Sequence, residues 1–324
     1  MNDRPRAPAL STLETWLQAR GAAYERLEPL AGDVSARGYV RVVVADGPSR
    51  VAALYPAGSR EAGERFLRSA SLLAASGVRV PRVLAWDAGA GIMLLEDAGR
   101  TSVYDAVAGG EPRDGHLRRA VAILARLATI DAAEVAALNP PLDGAILRRE
   151  LEQSRDLVLV PRGLLGSRGE LEAPLLELCE KLAAAPRRPC HRDFMARNLL
   201  LDSRRRMTVI DHQDLRLGPP WYDLASLLND SLYATGDEER RLLALARVPE
   251  REHESYHRAA AQRALKIVGT FTAFAQRGHD RHLPLVAPSL RAARRHLAIL
   301  PETARVMARL EGSWRRASEP GAGH

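Results

Sequence analysis

The chain has 324 residues, 46% of them hydrophobic, which is ample for a sizeable core divided over two lobes and excludes a disordered or fibrous protein. Basic residues outnumber acidic ones by 47 to 40, a formal net charge of +7, yet the arginines are scattered among acids and no basic stripe with interleaved aromatics appears. That pattern argues against a nucleic-acid partner and suits a modestly positive cleft that attracts phosphates.

Two cysteines, Cys179 and Cys190, form no C-x-x-C pair, so neither a disulfide framework nor a zinc site is indicated and a reducing cytoplasm is expected. The start, MNDRPRAPAL, lacks the apolar core of a signal peptide. The best run of apolar residues, 120–138, is broken by Arg126, Asp131 and Glu134, so no membrane partner is expected.

In chain order, Leu10 to Arg20 reads as a short amphipathic helix with Leu13, Trp16 and Leu17 on one face and Gly21 closing it. The period then shortens. Residues 40–44 and 50–55 are β-like and flank the turn Asp46-Gly47-Pro48-Ser49, which makes a hairpin. The loop before it, Gly32 to Tyr39, is small and polar, a composition that lets backbone N–H groups approach phosphates. It is not glycine-rich in the G-x-G-x-x-G sense, so an ordinary β-turn is the competing reading. Glu61 to Ala75 is predicted as a helix ending at Gly77, with Phe66, Leu72 and Leu73 for the core and Glu61 and Glu64 as surface carboxylates. Val78 to Trp86 and Ile92 to Glu96 complete a small antiparallel sheet, and Leu94 to Gly99 reads as an exit strand and hinge. Beyond Gly99 the spacing becomes helical over 113–130, 147–158 and 171–184, with breaks at Pro140-Pro141 and Pro161-Arg162-Gly163.

The stretch Cys190 to Asp211, CHRDFMARNLLLDSRRRMTVID, has the layout of a phosphoryl-transfer site. Such a reaction needs a carboxylate that accepts the hydroxyl proton and oxygen ligands that hold Mg²⁺ against the phosphates. Asp193 suits the first task; Asn198 and Asp211 suit the second. Residues 198–201 and 207–210 are two apolar runs joined by a polar turn, a hairpin that would carry both ligands to the mouth of one cleft. His-x-Asp alone is an ordinary loop motif; Asn198 at this offset and an aspartate closing an apolar strand make the combination specific. His191 is expected to orient the loop that holds Asp193. Further helices are predicted over 222–232, 238–248 and 250–276, the last with Leu265, Val268 and Phe271 inward and its cations solvated.

HRDFMARN followed by VIDHQD resembles the catalytic and metal segments of the aminoglycoside phosphotransferase-like small-molecule kinases, and Gly218 to Leu228 is similar to their G-P-x-x-Y-D-L-x-S-L-L helix start. Asp33 to Arg41, D-x-S-x-R-x-Y-x-R, and Gln262 to Phe271, Q-R-x-L-K-x-x-G-x-F, resemble the bacterial members that phosphorylate the anomeric hydroxyl of N-acetylmuramate and N-acetylglucosamine. The resemblance spans roughly residues 30 to 300. It implies an α+β, bilobal protein-kinase-like fold with a small antiparallel-sheet lobe over 1–98, a mainly helical lobe over 99–317 and a flexible tail over 318–324. It further implies ATP and Mg²⁺ between the lobes, with Asp193 orienting and deprotonating the sugar hydroxyl and Asn198 and Asp211 gripping the metal. Ser35 and Arg37 would meet the phosphates and Glu96, Asp97 and Ala98 the adenine, a plain linker being the alternative for the last three. Gln213 and Asp214 would contact sugar hydroxyls, Arg263 a lactyl carboxylate, while His191 and Asp223 would be structural. The sugar 1-phosphate would pass to a nucleotidyltransferase in cell-wall recycling.

One departure stands out. Where kinases carry a phosphate-binding lysine at a strand end, this chain reads Val51-Ala52-Ala53-Leu54-Tyr55, and no lysine precedes Lys181. Arg37 is the candidate replacement. Two other readings remain open: another phosphotransferase of the superfamily, acting on aminoglycosides, choline or homoserine, and a nucleotide-binding pseudokinase regulator.

Overall fold

The computed structural model describes residues 9–30 and 37–319, so Ser35, most of the loop at 32–39, the N-terminal residues 1–8 and the tail from 320 lie outside the described residues. The elements run α1 (Leu10–Gln18), β1 (Arg26–Leu30), β2 (Gly38–Val43), β3 (Arg50–Leu54), α2 (Arg60–Ala75), β4 (Val83–Asp87), β5 (Ile92–Glu96), β6 (Thr101–Ser102), α3 (Val103–Ala108), α4 (Arg113–Leu127), α5 (Ala132–Ala136) and α6 (Gly144–Ser154). Then follow α7 (Glu172–Ala184), β7 (Arg188–Cys190), β8 (Leu199–Leu201), β9 (Met207–Val209), β10 (Arg216–Gly218), α8 (Tyr222–Asn229), α9 (Gly236–Leu245), α10 (His253–Ala275), α11 (Val286–Leu297) and α12 (Ala304–Ala317). The α+β class holds, with a five-stranded antiparallel sheet near the N-terminus and helices thereafter. Among the described residues no helix is long and apolar enough to cross a membrane.

Two compact units result, the first from Met1–Thr101 with Leu200–Gln213, the second from Ser102–Leu199 with Asp214–His324. In the first, the strand order is β1-β2-β3-β5-β4, and Val40 and Val42 share one face with Ala52, Leu54, Ile92 and Leu94 against Leu13, Trp16 and Leu17 of α1. The other face is also covered, which is why β2 and β3 read as continuous apolar runs rather than alternating ones. β1 escapes a sequence reading because Pro29 and two charges interrupt it; an edge strand tolerates both. The strand expected over 78–86 is shorter, beginning at Val83 after Pro81 and carrying a register shift between Val83 and Ala85. At the hinge, Gly99 has φ +116°, and a Cβ there would lie 2.4 Å from the carbonyl oxygen of Leu201, so the residue facing β8 must lack a side chain.

The second unit is built around α10, which packs on α6, α8 and α11. Gly269 lets α6 come close, since a Cβ would fall 2.8 Å from the Ser154 backbone. α11 and α12, beyond the helices read from sequence, bury Leu290, Leu297, Met307 and Trp314.

Candidate active site

β7 pairs antiparallel with β10, Cys190 opposite Arg216, and delivers the chain to His191-Arg192-Asp193. The loop is fixed from below by Asp223, in the first turn of α8, whose carboxylate accepts from the backbone N–H of His191 at 2.6 Å and of Arg192 at 2.8 Å. Burial pushes the Asp223 carboxyl upward, and the hydrogen bonds from these amides work against that shift. The Cys190 thiol also donates to it at 3.4 Å. His191 is fully buried, its ring edge-on to Phe194 at 5.8 Å. Arg192 takes φ 77°, a strained conformation for a side chain of its size, which turns the loop at the residue before Asp193.

Both hydrogen bonds received by the Asp193 carboxylate land on Oδ1: Arg263 Nη1 at 2.6 Å and Lys266 Nζ at 3.3 Å. Among the described residues nothing donates to Oδ2. Burial works to raise this carboxyl, but the charges of Lys266, Arg263 and Arg192 outweigh it and hold Asp193 well below the usual carboxylate range. The cations are themselves fastened. Lys266 also faces Glu150 at 3.6 Å, Arg192 binds Glu150 at 2.6 Å and Asp214 at 2.8 Å, and Arg263 reaches Asp230 at 3.4 Å. Gln262, held by the Tyr222 hydroxyl at 2.8 Å, donates to Glu150 at 3.1 Å. The Asn198 side chain donates Nδ2 to the Asp193 carbonyl at 2.8 Å, which leaves its Oδ1 as a free oxygen donor.

In the sheet unit, β8 and β9 form the expected hairpin, with amides 204 and 206 closing its turn on the Asp202 carboxylate. Asp211 follows β9 with φ 63° and a carboxylate 44% exposed, its Oδ1 accepting from Gln213 Nε2 at 2.8 Å. The Arg37 guanidinium stands 3.8 Å from the same oxygen and within 5.9 Å of the Tyr39 and Tyr55 rings. A cation therefore reaches Asp211 in the unit whose β3 carries no lysine. The donors of Asn198 and Asp211 are hard oxygens, as Mg²⁺ requires, and among the described residues no three His, Cys, Asp or Glu side chains group into an all-protein metal cage. Each oxygen by itself is of the kind taken by a magnesium ion that keeps waters and substrate phosphates in its shell.

Residues 26–261 match the APH family, the phosphotransferase enzyme family. The chain belongs to that family. It is 32% identical over 323 residues to a protein of Pseudomonas aeruginosa named N-acetylmuramate/N-acetylglucosamine kinase, covering 92% of this chain and 90% of that one. A Neisseria meningitidis protein of the same name is 29% identical over 320 residues, with 89% and 92% covered. Among solved structures, the GDP complex of aminoglycoside 2'-phosphotransferase-IIIa superposes with TM-score 0.62 at 16% identity, covering 89% of this chain and 97% of that one. A choline/ethanolamine kinase family protein from Mesorhizobium loti gives TM-score 0.60 at 17% identity over 93% and 99%. These two likenesses concern the fold, which is that of protein-kinase-like phosphotransferases.

The remaining candidates of this phosphotransferase sit as follows. The Glu96 carboxylate is taken by Arg79 at 2.8 Å and Arg82 at 3.2 Å, and its amide donates to the Arg82 carbonyl. Asp97 accepts a two-pronged bond from Arg41, at 2.6 and 3.1 Å, and Ala98 is buried. Asp214 faces Arg192, and Gln213 rests on Asp211. Arg263, read from sequence as a partner for a substrate carboxylate, is 1% exposed and turned to Asp193 and Asp230. Three contributors went unread. Lys266 points inward to Asp193 although its helix position read as solvated. His212 is buried against Phe66, ring centroids 4.4 Å apart, and its Nδ1 meets the Ser69 hydroxyl at 2.8 Å, tying the segment after Asp211 to α2. The signal for that pair was a serine on the apolar face of α2, between Phe66 and Leu73.

Proposed function

We propose that the chain is an ATP-dependent, Mg²⁺-requiring kinase that phosphorylates the anomeric hydroxyl of N-acetylmuramate and N-acetylglucosamine, giving the sugar 1-phosphate. The observation that carries the substrate class is the likeness, over about nine-tenths of both chains, to the two bacterial proteins bearing that name. The form of Asp193 supports the chemistry: one oxygen is saturated by Arg263 and Lys266, the other is open to a substrate O–H.

A carboxylate held so far below its usual range is a weak base, so Asp193 first orients the hydroxyl by accepting its hydrogen bond at Oδ2. The sugar oxygen attacks the γ-phosphorus, the bond from that phosphorus to the β,γ-bridging oxygen breaks, and ADP departs. The hydroxyl proton passes to Asp193 only as the new P–O bond acidifies it, in keeping with the loose transition state of phosphoryl transfer. The anomeric hydroxyl is the most acidic one on a reducing sugar, which suits a weak base. When bound, Mg²⁺ would neutralise the β- and γ-phosphate oxygens; Asn198 Oδ1 and Asp211 are the side chains assigned to hold it. Arg37 takes the part of the missing lysine at the phosphates, and the backbone at 96–98 that of the adenine contact. Cys179 and Cys190, both free and buried, accord with a cytoplasmic site, and the 1-phosphate calls for a nucleotidyltransferase as the next enzyme.

The test is a ³¹P NMR assay of the purified chain with ATP·Mg²⁺ over N-acetylmuramate, N-acetylglucosamine, choline and kanamycin. An anomeric phosphate signal coupled to H1 is expected with the amino sugars, absent in Asp193→Asn. Phosphate appearing on choline or kanamycin instead, or at a sugar position other than C1, would sink the reading.

A further inference from the structure

Among the described residues, five cationic side chains belong to the charge network around Asp193 in the helical unit, and three are bound to two carboxylates each. Arg263 holds Asp193 and Asp230, Lys266 holds Asp193 and Glu150, and Arg192 holds Glu150 and Asp214. Arg216 meets one, that of Asp214 at 3.6 Å, and spends Nε and Nη1 on the carbonyls of Asp214 and Pro140; among the described residues Arg197 also meets one, that of Asp230, at 3.2 Å. It sits in the short turn Ala196–Asn198, beside the residue whose side chain bonds the Asp193 carbonyl. Its Nη2 makes the Asp230 bond and a 3.7 Å contact with Met195 Sδ, while Nε and Nη1 donate to nothing among the described residues. Its side chain is 21% exposed against 2% for Arg263. The guanidinium lies 5.8 Å from the centroid of the half-buried Tyr104 ring and 5.5 Å from that of Phe271.

We propose that Arg197, not Arg263, receives the carboxylate of an acidic acceptor sugar, with the Tyr104 ring as the apolar surface beside it. The inference rests on the amino-sugar kinase reading above. A guanidinium with unused N–H groups can grip a carboxylate at two points, and flanking aromatic faces keep it flat and partly dried, which strengthens the pairing. Asp230, fully buried, holds Arg197 from behind and holds Arg263 with its other oxygen, so one carboxylate sets both the acceptor clamp and the brace of Asp193. A neutral acceptor such as N-acetylglucosamine forgoes this one interaction and keeps the rest of the site.

The experiment measures kcat/KM for N-acetylmuramate, its methyl ester and N-acetylglucosamine with the unaltered protein, Arg197→Gln and Arg197→Lys. The expected result is a fall of about ten- to a hundredfold in the ratio of N-acetylmuramate to N-acetylglucosamine in Arg197→Gln, with partial recovery in Arg197→Lys. Non-additivity is the second readout: esterification should penalise the unaltered protein by about tenfold or more and Arg197→Gln hardly at all. An unchanged ratio, or an ester penalty that survives in Arg197→Gln, overturns the assignment. Should the glutamine variant not fold, equal use of acid and ester by the unaltered protein also overturns it, and a tenfold preference with partial loss in Arg197→Lys supports it. If the unaltered protein phosphorylates neither sugar, the amino-sugar reading itself has failed and this inference falls with it.

Discussion

Asp193 and Asp211 are held in opposite ways. The helical unit surrounds Asp193 with compensated charge, Arg263 and Lys266 on one oxygen and Glu150, Asp214 and Asp230 restraining the cations. The sheet unit leaves the Asp211 carboxylate 44% exposed on a strained backbone, met by Gln213 at 2.8 Å and Arg37 at 3.8 Å, with the neighbouring His212 packed on α2. On the proposed function, the first design would set the charge and direction of a reacting oxygen in advance, and the second would leave a ligand room to adjust when a metal and its phosphates arrive.

The sharpest way to break this comparison is to neutralise each carboxylate. Asp193→Asn should lower kcat by about a hundred- to ten-thousandfold and cost about 3 kcal/mol in denaturant unfolding, because the buried Arg263 and Lys266 lose their countercharge. Asp211→Asn should also lose activity but hold its unfolding midpoint. Equal stability losses in the two variants would erase the distinction.

A smaller effect is expected at Glu150, where burial raises the carboxyl but Lys266 and Arg192 overcome it and the net direction is downward. A folded value below the unfolded one stabilises the fold above the unfolded pKa, near 4.5, and that contribution is lost as pH falls through the folded value. Glu150→Gln should therefore be less stable than the unaltered protein at pH 7, by about 2 kcal/mol, with the gap narrowing below about pH 4.5 in urea titrations. A gap that widens on acidification contradicts the assigned charges. In the sheet unit, Arg37→Ala should raise KM for ATP by about tenfold, the loss of one charge-assisted contact. Smallest of all, Ser69→Ala removes the hydroxyl partner of His212 and should cost about 1 kcal/mol with a severalfold drop in kcat. Calorimetry and steady-state rates on that variant show whether the α2 tie matters to Asp211.

Much of this was legible in the order of residues. The offset from Asp193 to Asn198, the hairpin that ends before Asp211, and the apolar faces of α1, α2 and α10 are local patterns, fixed by period and turn chemistry. What sequence hid is non-local. Arg263 and Lys266 look like solvated cations on a helix because the carboxylates that draw them inward come from residues 150, 193 and 230, far away along the chain. Reading Arg263 as a substrate contact followed from its type and motif, with no view of Asp230. β1 was missed because an edge strand can hold Pro29 and charged residues that no central strand would accept.

Gly99 has a practical corollary. The polypeptide touches its own later stretch at Leu201 there, just before the sheet unit's first segment ends at Thr101, and that unit also includes residues 200–213. A gene truncated just after codon 99 would encode an incomplete module, stripped of β9 and of the amide that Val209 donates to the Arg79 carbonyl. Anyone seeking to express the sheet unit alone must splice in the returning hairpin, and should allow no side chain larger than a hydrogen at Gly99.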